Sequence, residues 1–504
     1  MNFRQRLKSV LTLFVLVSTI GGVLLFLHYK EEMTRLKPRL EQRQIPILAD
    51  IKQPEFIVQN ETSQNHNIHG DAVKSGNVSN TSKSETLQTK LSPVNNLEMI
   101  VREKKYEYFT DKFVIDKEPF LSWFNKKNEI HICGDRLKVY GNYFGVARNI
   151  VMHPEKQSTN SVKGGEQVKA VLGQTEGQEY FNLNSDFWEL SCDTNDTTQQ
   201  KLSNSGLNWK NNIKIVSTAN NASNHVHKYT FGVLRGDYAN LHNWMRCIFN
   251  VFILMSFFKV QPSEMSILFL DAHPFTPLDK AWDVIYSTPI RVGHLSQPVH
   301  YENFIWGVDE KNMPFSEHVD PPIPYLEEFR TFVLDRFDLP TKDVLNCKKL
   351  RITFIVRRNA VYHPRNAEGN VGRKVFNEAE VVETLMKAFP GSHVQAALME
   401  ALPMKSQLEI SSQTDLWIGM HGAGMTHIAF LPKHAAVLEL FQKDFKVNRP
   451  WFVCFHSITM WRGMHYDSWE NTDGNLEMPH DYTIVPTDVI AQKTQKLVEQ
   501  MCPK

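Results

Sequence analysis

The chain has 504 residues, 42% of them hydrophobic and 22% charged, which is too long for one compact domain and too apolar for a disordered polymer. Its 56 Lys and Arg nearly balance 55 Asp and Glu, so bulk charge excludes a nucleic acid or acidic polymer held by a basic surface. Any anionic ligand must be met by local groups.

No charged residue occurs from Val10 to Leu27. At about 1.5 Å per residue that run comes close to crossing the ~30 Å hydrocarbon core of a bilayer. Arg4, Arg6 and Lys8 precede it, whereas Lys30, Glu31 and Glu32 nearly cancel after it. We therefore expect a cytosolic tail over 1–9, a transmembrane anchor over 10–28 and a lumenal remainder. A cleaved signal peptide is the alternative, but the run is long for one and no small-x-small site follows Leu27.

Both readings send the rest of the chain to an oxidising compartment. Asn60, Asn77, Asn80, Asn195 and Asn221 each begin an Asn-x-Ser/Thr sequon. The six cysteines, Cys133, Cys192, Cys247, Cys347, Cys454 and Cys502, show no metal-ligand spacing and read as disulfide formers rather than zinc ligands. Cys133 with Cys192 would staple the N-terminal half, although the spacing leaves other pairings open.

Over 29–100 the chain is rich in Gln, Asn, Ser, Thr and Lys, and Phe56 is its one aromatic after Tyr29. Too little apolar surface is available there to order a fold, so a flexible stem is expected. From Tyr106 the aromatics return. We read 101–346 as a first domain, with a strand at Ser266 to Asp271, a long apolar helix around Asn240 to Lys259, and polar stretches at 155–178 and 193–224 taken as surface loops.

The segment 347–504 is more regular. A β-branched run, Ile352 to Val356, precedes a helix opened by Asn377 with Glu380 three residues on, then a strand at His393 to Leu398. A helix around Met404 to Ser411, a strand at Asp415 to Met420, a short helix from Thr426 and a strand at Ala436 to Phe441 follow. Alternation of short strands and helices predicts an α/β domain with a parallel sheet covered on both faces, a Rossmann-like architecture.

The sharpest local signal is Trp417 to His427, an apolar strand ending in His421-Gly422-Ala423-Gly424 before a helix with Thr426 in its first turns. Ligands of open α/β sheets lie beyond the carboxyl ends of strands, and a helix N-terminus offers N–H groups and a positive dipole end to phosphate. Glu439 ends a neighbouring apolar strand, where a carboxylate suits the two hydroxyls of a ribose. Arg357 and Arg358 follow the strand Ile352 to Val356, and Arg373 with Lys374 follow in a loop rich in Gly and Asn. Cations at a strand end can neutralise a diphosphate. Asp237 before the apolar helix, and Asp271 with His273 after the strand, are the groups best placed to take a proton from a hydroxyl. Asp237 could equally cap its helix. No Asp-x-Asp occurs in the chain, which favours a site that works with cationic side chains and no metal.

These residues resemble glycosyltransferase family 61 over most of 230–470. Thr414 to Phe441 (TDLWIGMHGAGMTHIAFLPKHAAVLELF) is similar to its signature block. Two branches compete, the core β-1,2-xylosyltransferases of plant N-glycan processing and the EGF-domain-specific O-GlcNAc transferases. Arg357 to Lys374 (RRNAVYHPRNAEGNVGRK) with Asn377-Glu378, Leu270 to His273, the Trp282 region and Gln297-Pro298-Val299 look more like the first. The chain also ends in Met501-Cys502-Pro503-Lys504 without a retrieval tail. In that branch a histidine stands three residues after the asparagine of Tyr-Ala-Asn-Leu and an aspartate four further on. Here Asn243 and Cys247 occupy those places, with His242 one position early.

The resemblance implies two Rossmann-like domains facing a cleft in the GT-B manner and an inverting transfer of xylose from UDP-xylose, in β-1,2 linkage, to the core mannose of N-glycans on glycoproteins. UDP-GlcNAc transfer onto EGF domains is the alternative, and an inactive lumenal glycan- or nucleotide-binding protein a third reading. By the same resemblance His421, Gly422, Ala423, Gly424 and Glu439 lie on the donor side. Asp237, Asp271 and a shifted His242 are the catalytic candidates on the acceptor side. No cofactor and no metal are expected. The short anchor suits the Golgi membrane, in single-pass type II orientation.

Overall fold

The computed structural model describes residues 129–503 apart from 142, 159–161, 193–194, 204–208, 220–221, 223, 310–322, 324 and 450–452. The expected tail, anchor and stem, and the sequons at Asn60, Asn77, Asn80 and Asn221, lie outside the described residues. Among the described residues one helix, Leu241–Phe258, is long and apolar enough to cross a membrane. It is instead a core element, because nearly every side chain from Trp244 onward is buried inside the fold. Asn240 caps its start by accepting from His242 N at 2.9 Å, and Lys259 ends it in the left-handed region at φ 57°.

The N-terminal half holds a nine-stranded mixed sheet. Asn224–Leu234 pairs in parallel with Met265–Phe269 on one side and with Val299–Asp309 on the other, and Met265–Phe269 pairs in parallel with Ile290–Arg291. The Rossmann-like pattern stops at Val299–Asp309, which pairs antiparallel with Phe144–Met152 and so leads into a meander through Leu137–Tyr140 to Glu129–Ile132. Phe187, Trp188, Phe304 and Trp306 fill this half's core with all four rings essentially out of water. The disulfide Cys133–Cys192 ties the outer strands to the following segment.

The two polar stretches read as loops are more structured than their composition suggests. The second contains the helix Asp196–Ser203 and the strand Ile213–Val216. The first forms short 3-10 turns, Val168–Val171 and Glu176–Glu179, and is held by Gly165 N donating to His273 O at 2.9 Å and by a bridge from Tyr180 to Asp271. Its backbone is pinned in this way while most of its polar side chains, among them Lys163, Gln167, Lys169 and Glu176, still face water.

The second sheet has five strands, all parallel, in the order His393–Ala397, Arg351–Ile355, Leu416–Met420, Ala436–Phe441, His465–Glu470. In chain order that is 2-1-3-4-5, so the direction of winding reverses between Arg351–Ile355 and Leu416–Met420, the place where such sheets leave a crevice beyond their carboxyl ends. Glu378–Ala388 and Thr487–Met501 cover one face, where Val381, Leu385, Ile490 and Leu497 pack on Phe354, Ile418 and Leu438. Ala423–Phe430, Met404–Gln413 and Cys454–Trp461 cover the other. Cys347–Cys502 joins the lead-in of the first strand to the end of the last helix, and Cys247 and Cys454 are buried and belong to neither disulfide.

Candidate active site

At the switch point the strand Leu416–Met420 ends in His421 and Gly422, and the helix that follows begins at Ala423, earlier than Thr426 and as a 3-10 helix through Phe430. Two buried arginines anchor its far end. Arg330 Nε donates to Phe430 O at 3.0 Å, and Arg462 donates to Ile428 O at 2.6 Å and Leu431 O at 2.8 Å. Cations on the last carbonyls complement the helix dipole and fix its N-terminal end toward the crevice.

Arg357, just past the adjacent strand, donates from Nη1 to His421 O at 3.2 Å. A Cβ on Gly422 would collide with that same nitrogen. Gly422 has an extended backbone, φ 164°, so the glycine is required by the guanidinium and not by conformation. At Gly424 the nearest atom to such a Cβ is 3.7 Å away, which leaves room for a methyl group.

Arg373 enters the same group of charges. Burial, then the charges of Arg357 and Arg449, push its pKa down to about 10. Its Nε is buried without a hydrogen-bond partner, and its guanidinium lies 5.8 Å from the Phe445 ring centre, as Arg449 does at 5.3 Å. Burial also lowers Arg357, and neither Arg357 nor Arg373 has an ion-pair partner among the described residues. Cations crowded together in this way are what a bound dianion would relieve. Lys374, buried, instead donates to Asn359 Oδ1 at 2.9 Å and sits 4.5 Å over the Tyr482 ring; burial lowers it.

Other expected donor residues are placed differently. Glu439 is 2% exposed, with one oxygen 2.6 Å from His421 Nδ1 and the other accepting from Tyr466 OH at 2.7 Å. Its oxygens are committed to holding the imidazole, which packs among Phe441, Phe445 and Phe455, so they do not reach out to a ribose. Thr426 is fully buried with Oγ1 unpartnered, inside the helix packing rather than at the turn. Arg358 turns away from the crevice into a bidentate pair with Glu378 at 2.8 and 2.6 Å. Ala423 and Gly424 open the helix that follows the turn.

On the N-terminal side, Asp271 is wholly buried. Its oxygens accept from Arg235 Nη2 at 2.6 Å and Nε at 3.1 Å, and Arg235 continues to Asp279 at 2.8 Å. Burial alone would raise the Asp271 carboxyl, but the Arg235 charge outweighs it and holds it well below the usual range. Such a carboxylate is a structural anion out of reach of an acceptor. His273 beside it donates from Nε2 to Arg235 O at 2.8 Å, and burial lowers its pKa to about 4. His242 contacts the Phe455 ring at 5.5 Å, and Phe455 in turn contacts His421 at 5.1 Å, so His242 stands one ring from the donor turn.

Asp237 differs from Asp271. Its Oδ1 accepts from Ala239 N at 3.3 Å and Asn240 N at 3.1 Å and lies 3.1 Å from His363 Nε2. Its Oδ2 has no partner among the described residues, and the side chain is 32% exposed. Burial would raise its pKa, but the His363 contact and the two backbone N–H groups outweigh burial and lower it. His363 comes from the other half, on the segment between Arg357 and Arg373. Next to it Pro364 O accepts from Gly173 N at 2.9 Å, and Arg365 lies 3.4 Å from Glu179. The segments that follow the carboxyl ends of Asn224–Leu234 in the mixed sheet and of Arg351–Ile355 in the parallel sheet therefore meet at Asp237 and His363. In the sequence His363 and Arg365 stand out only through the His-Pro-Arg triplet in a loop flanked by arginines, and Glu179 carries no local signal.

Among the described residues, Asp343, Asp415 and His434 bring three ligand-type atoms within 4.8 Å of one another. Arg351 already donates to both carboxylates, at 2.6 and 2.7 Å.

The family model described as Glycosyltransferase 61 matches residues 253–438. That span takes in Arg357, Arg373 and the turn, while Asp237 and His242 precede it. The chain is 26% identical to a β-1,2-xylosyltransferase of Oryza sativa subsp. japonica over 291 residues, 53% of this chain and 52% of the relative. It is 23% identical to the β-1,2-xylosyltransferase of Arabidopsis thaliana over 316 residues, 55% of this chain and 56% of the relative. It is 36% identical to the EGF domain-specific O-linked N-acetylglucosamine transferase of Drosophila melanogaster over 153 residues, 30% of this chain and 25% of the relative. The matched part thus spans about a quarter to a half of the length of these relatives. The turn and the arginines thus lie within the 253–438 segment that matches the Glycosyltransferase 61 family model.

Proposed function

We propose that the chain is an inverting, GT-B-type glycosyltransferase that moves xylose from UDP-xylose, in β-1,2 linkage, to the core mannose of glycoprotein N-glycans. We further propose that it acts as a single-pass type II protein of the Golgi membrane, with an acceptor-side domain over 101–346 and a nucleotide-sugar domain over 347–504. The observation that carries the nucleotide half is the group of Arg357 and Arg373 beside the His421–Gly422 turn at the switch point. A UDP diphosphate on that turn meets two guanidinium groups that have no ion-pair partner among the described residues, and the charge that develops as UDP leaves is stabilised by cations with no metal required. Asp237 Oδ2 takes the proton of the acceptor hydroxyl as its oxygen attacks the anomeric carbon, and the electron pair of the broken bond leaves on UDP.

The xylosyl reading rests on similarity extending over 53% and 55% of the chain. A second reading, transfer of GlcNAc to EGF domains, is favoured by the higher identity, 36%, over a shorter span. Incubating the full-length chain with a panel of UDP-sugars and two acceptors, an N-glycan and an EGF domain, separates them. Xylose on the glycan supports the first, GlcNAc on the EGF domain the second. UDP binding with no transfer or hydrolysis supports an inactive binding protein.

A further inference from the structure

We infer that His363 is a positioning residue for the acceptor-side base, supplied to Asp237 from the opposite half by the same loop that carries the donor's arginines. This rests on the reading of the site given above and specifies how its two sides are joined.

The argument starts from the asymmetry of one carboxylate. Among the described residues every hydrogen bond and ion pair of Asp237 falls on Oδ1, from two backbone N–H groups and His363 Nε2, and Oδ2 has no partner. A carboxylate held at one oxygen by three donors keeps its plane fixed and presents the other oxygen in one direction. Asn240 already caps the helix, and holding the turn ahead of it would need only the backbone contacts, which are local to Asp237. His363 is 126 positions away in the chain and reaches the carboxylate only because its loop crosses to the N-terminal half.

The loop is built for that crossing. Arg357 begins it at the end of one strand and Arg373, in the left-handed region at φ 60°, ends it next to Lys374–Val375. Gly369, also left-handed, cannot carry a Cβ without meeting the backbone of Ala360 and Val361, so the loop doubles back on itself. At the far end Pro364 O accepts from Gly173 N, and Arg365 lies near Glu176 and Glu179, at 3.3 and 3.4 Å. The His363 ring is also packed edge-on against Tyr238, at 5.1 Å. Both stems of the loop therefore touch the proposed diphosphate site while its tip orients the base.

With Nε2 facing a carboxylate oxygen, that nitrogen carries the hydrogen and donates it. This donation stabilises ionised Asp237, so its loss raises the pKa of the base and moves the acid limb of turnover to higher pH. The other charged or titratable groups around the pair are Glu176, Glu179, Arg365, His273 and Tyr238. Each remains in place when His363 alone is changed.

The test uses the full-length chain, the UDP-sugar that the wild type consumes, and calorimetry with UDP as an independent readout. His363→Ala should keep UDP affinity and donor KM within about twofold, lower kcat by roughly a hundredfold and move the acid limb of kcat up by about one pH unit. His363→Gln, whose amide can reach the Nε2 position, should restore part of both. Asp237→Asn should keep UDP affinity and lose turnover. A His363→Ala enzyme with unchanged kcat, or with lower kcat but an unmoved acid limb and no rescue by glutamine, overturns the inference. A wild-type chain that binds no UDP overturns the underlying reading of the site as well.

Discussion

Arg357 occupies the space that a side chain on Gly422 would need, with its Nη1 donating to His421 O at 3.2 Å. The obstruction is the free end of a flexible side chain, so a larger residue displaces the guanidinium without breaking the backbone. Gly422→Val should fold with an unchanged melting profile and lose UDP affinity, whereas Gly424→Ala, with 3.7 Å of clearance, should bind UDP as the wild type does. Calorimetry with UDP on both variants checks this, and equal affinity in the two would separate the turn from the donor.

The two neighbouring arginines should behave differently. Arg358 is paired with Glu378, and a partly exposed pair of this kind is worth about 1 kcal/mol or less of stability. Arg358→Ala should therefore leave kcat near wild type. Arg357→Ala removes a contact that strengthens as charge develops on UDP, on the order of 3 kcal/mol, and should lower kcat roughly a hundredfold with a smaller effect on donor KM. Steady-state kinetics on the two variants decides it. By position along the chain Arg358, farther beyond the strand, is the better candidate; only the Glu378 carboxylate, brought in by a separate helix, reverses the order.

Glu439→Ala should cost stability before it costs chemistry. It would leave His421 Nδ1 and Tyr466 OH buried without their shared acceptor, a loss of about 3 kcal/mol. A fall in the denaturation midpoint with undiminished ribose discrimination, measured by comparing UDP with 2′-deoxy-UDP, is the expected pattern. A direct ribose contact would instead abolish that discrimination.

Cys347–Cys502 closes 155 residues across the second sheet, and Cys347→Ser should destabilise this half by about 2–4 kcal/mol. Thermal denaturation should separate the wild type from the variant without reductant and bring the two together with it, since reductant opens Cys133–Cys192 in both.

Much of this architecture was legible because it depends on local pattern. Ala436–Phe441 appears where its apolar run begins and ends, and Leu241–Phe258 lies between the Asn240 and Lys259 boundaries that its composition marks. Gly422 and Arg357 were also visible, since a strand end followed by glycines or arginines is a signal within a few residues. What was hidden depends on distant partners. Asp271 looked like Asp237 in sequence, each an acid after a strand, and only Arg235 on the neighbouring strand turns one of them into a buried structural anion. Glu439 likewise looked free until Tyr466, one strand over, claimed its second oxygen. The 155–178 stretch read as solvated loop because its hydrogen bonds to His273 and Pro364 involve backbone groups, which leave no mark in composition.

The central claim is that Arg357 and Arg373, without a metal ion, hold the donor diphosphate at the His421–Gly422 turn. It is tested most directly by calorimetric titration of UDP into the full-length chain and into the Arg357→Ala/Arg373→Ala double variant, each in excess EDTA. The account predicts that the wild type binds UDP undiminished by the chelator and that the double variant binds roughly a hundredfold more weakly or not at all. Equal affinity in the double variant, or wild-type binding that disappears in EDTA and returns with Mn²⁺, would contradict it.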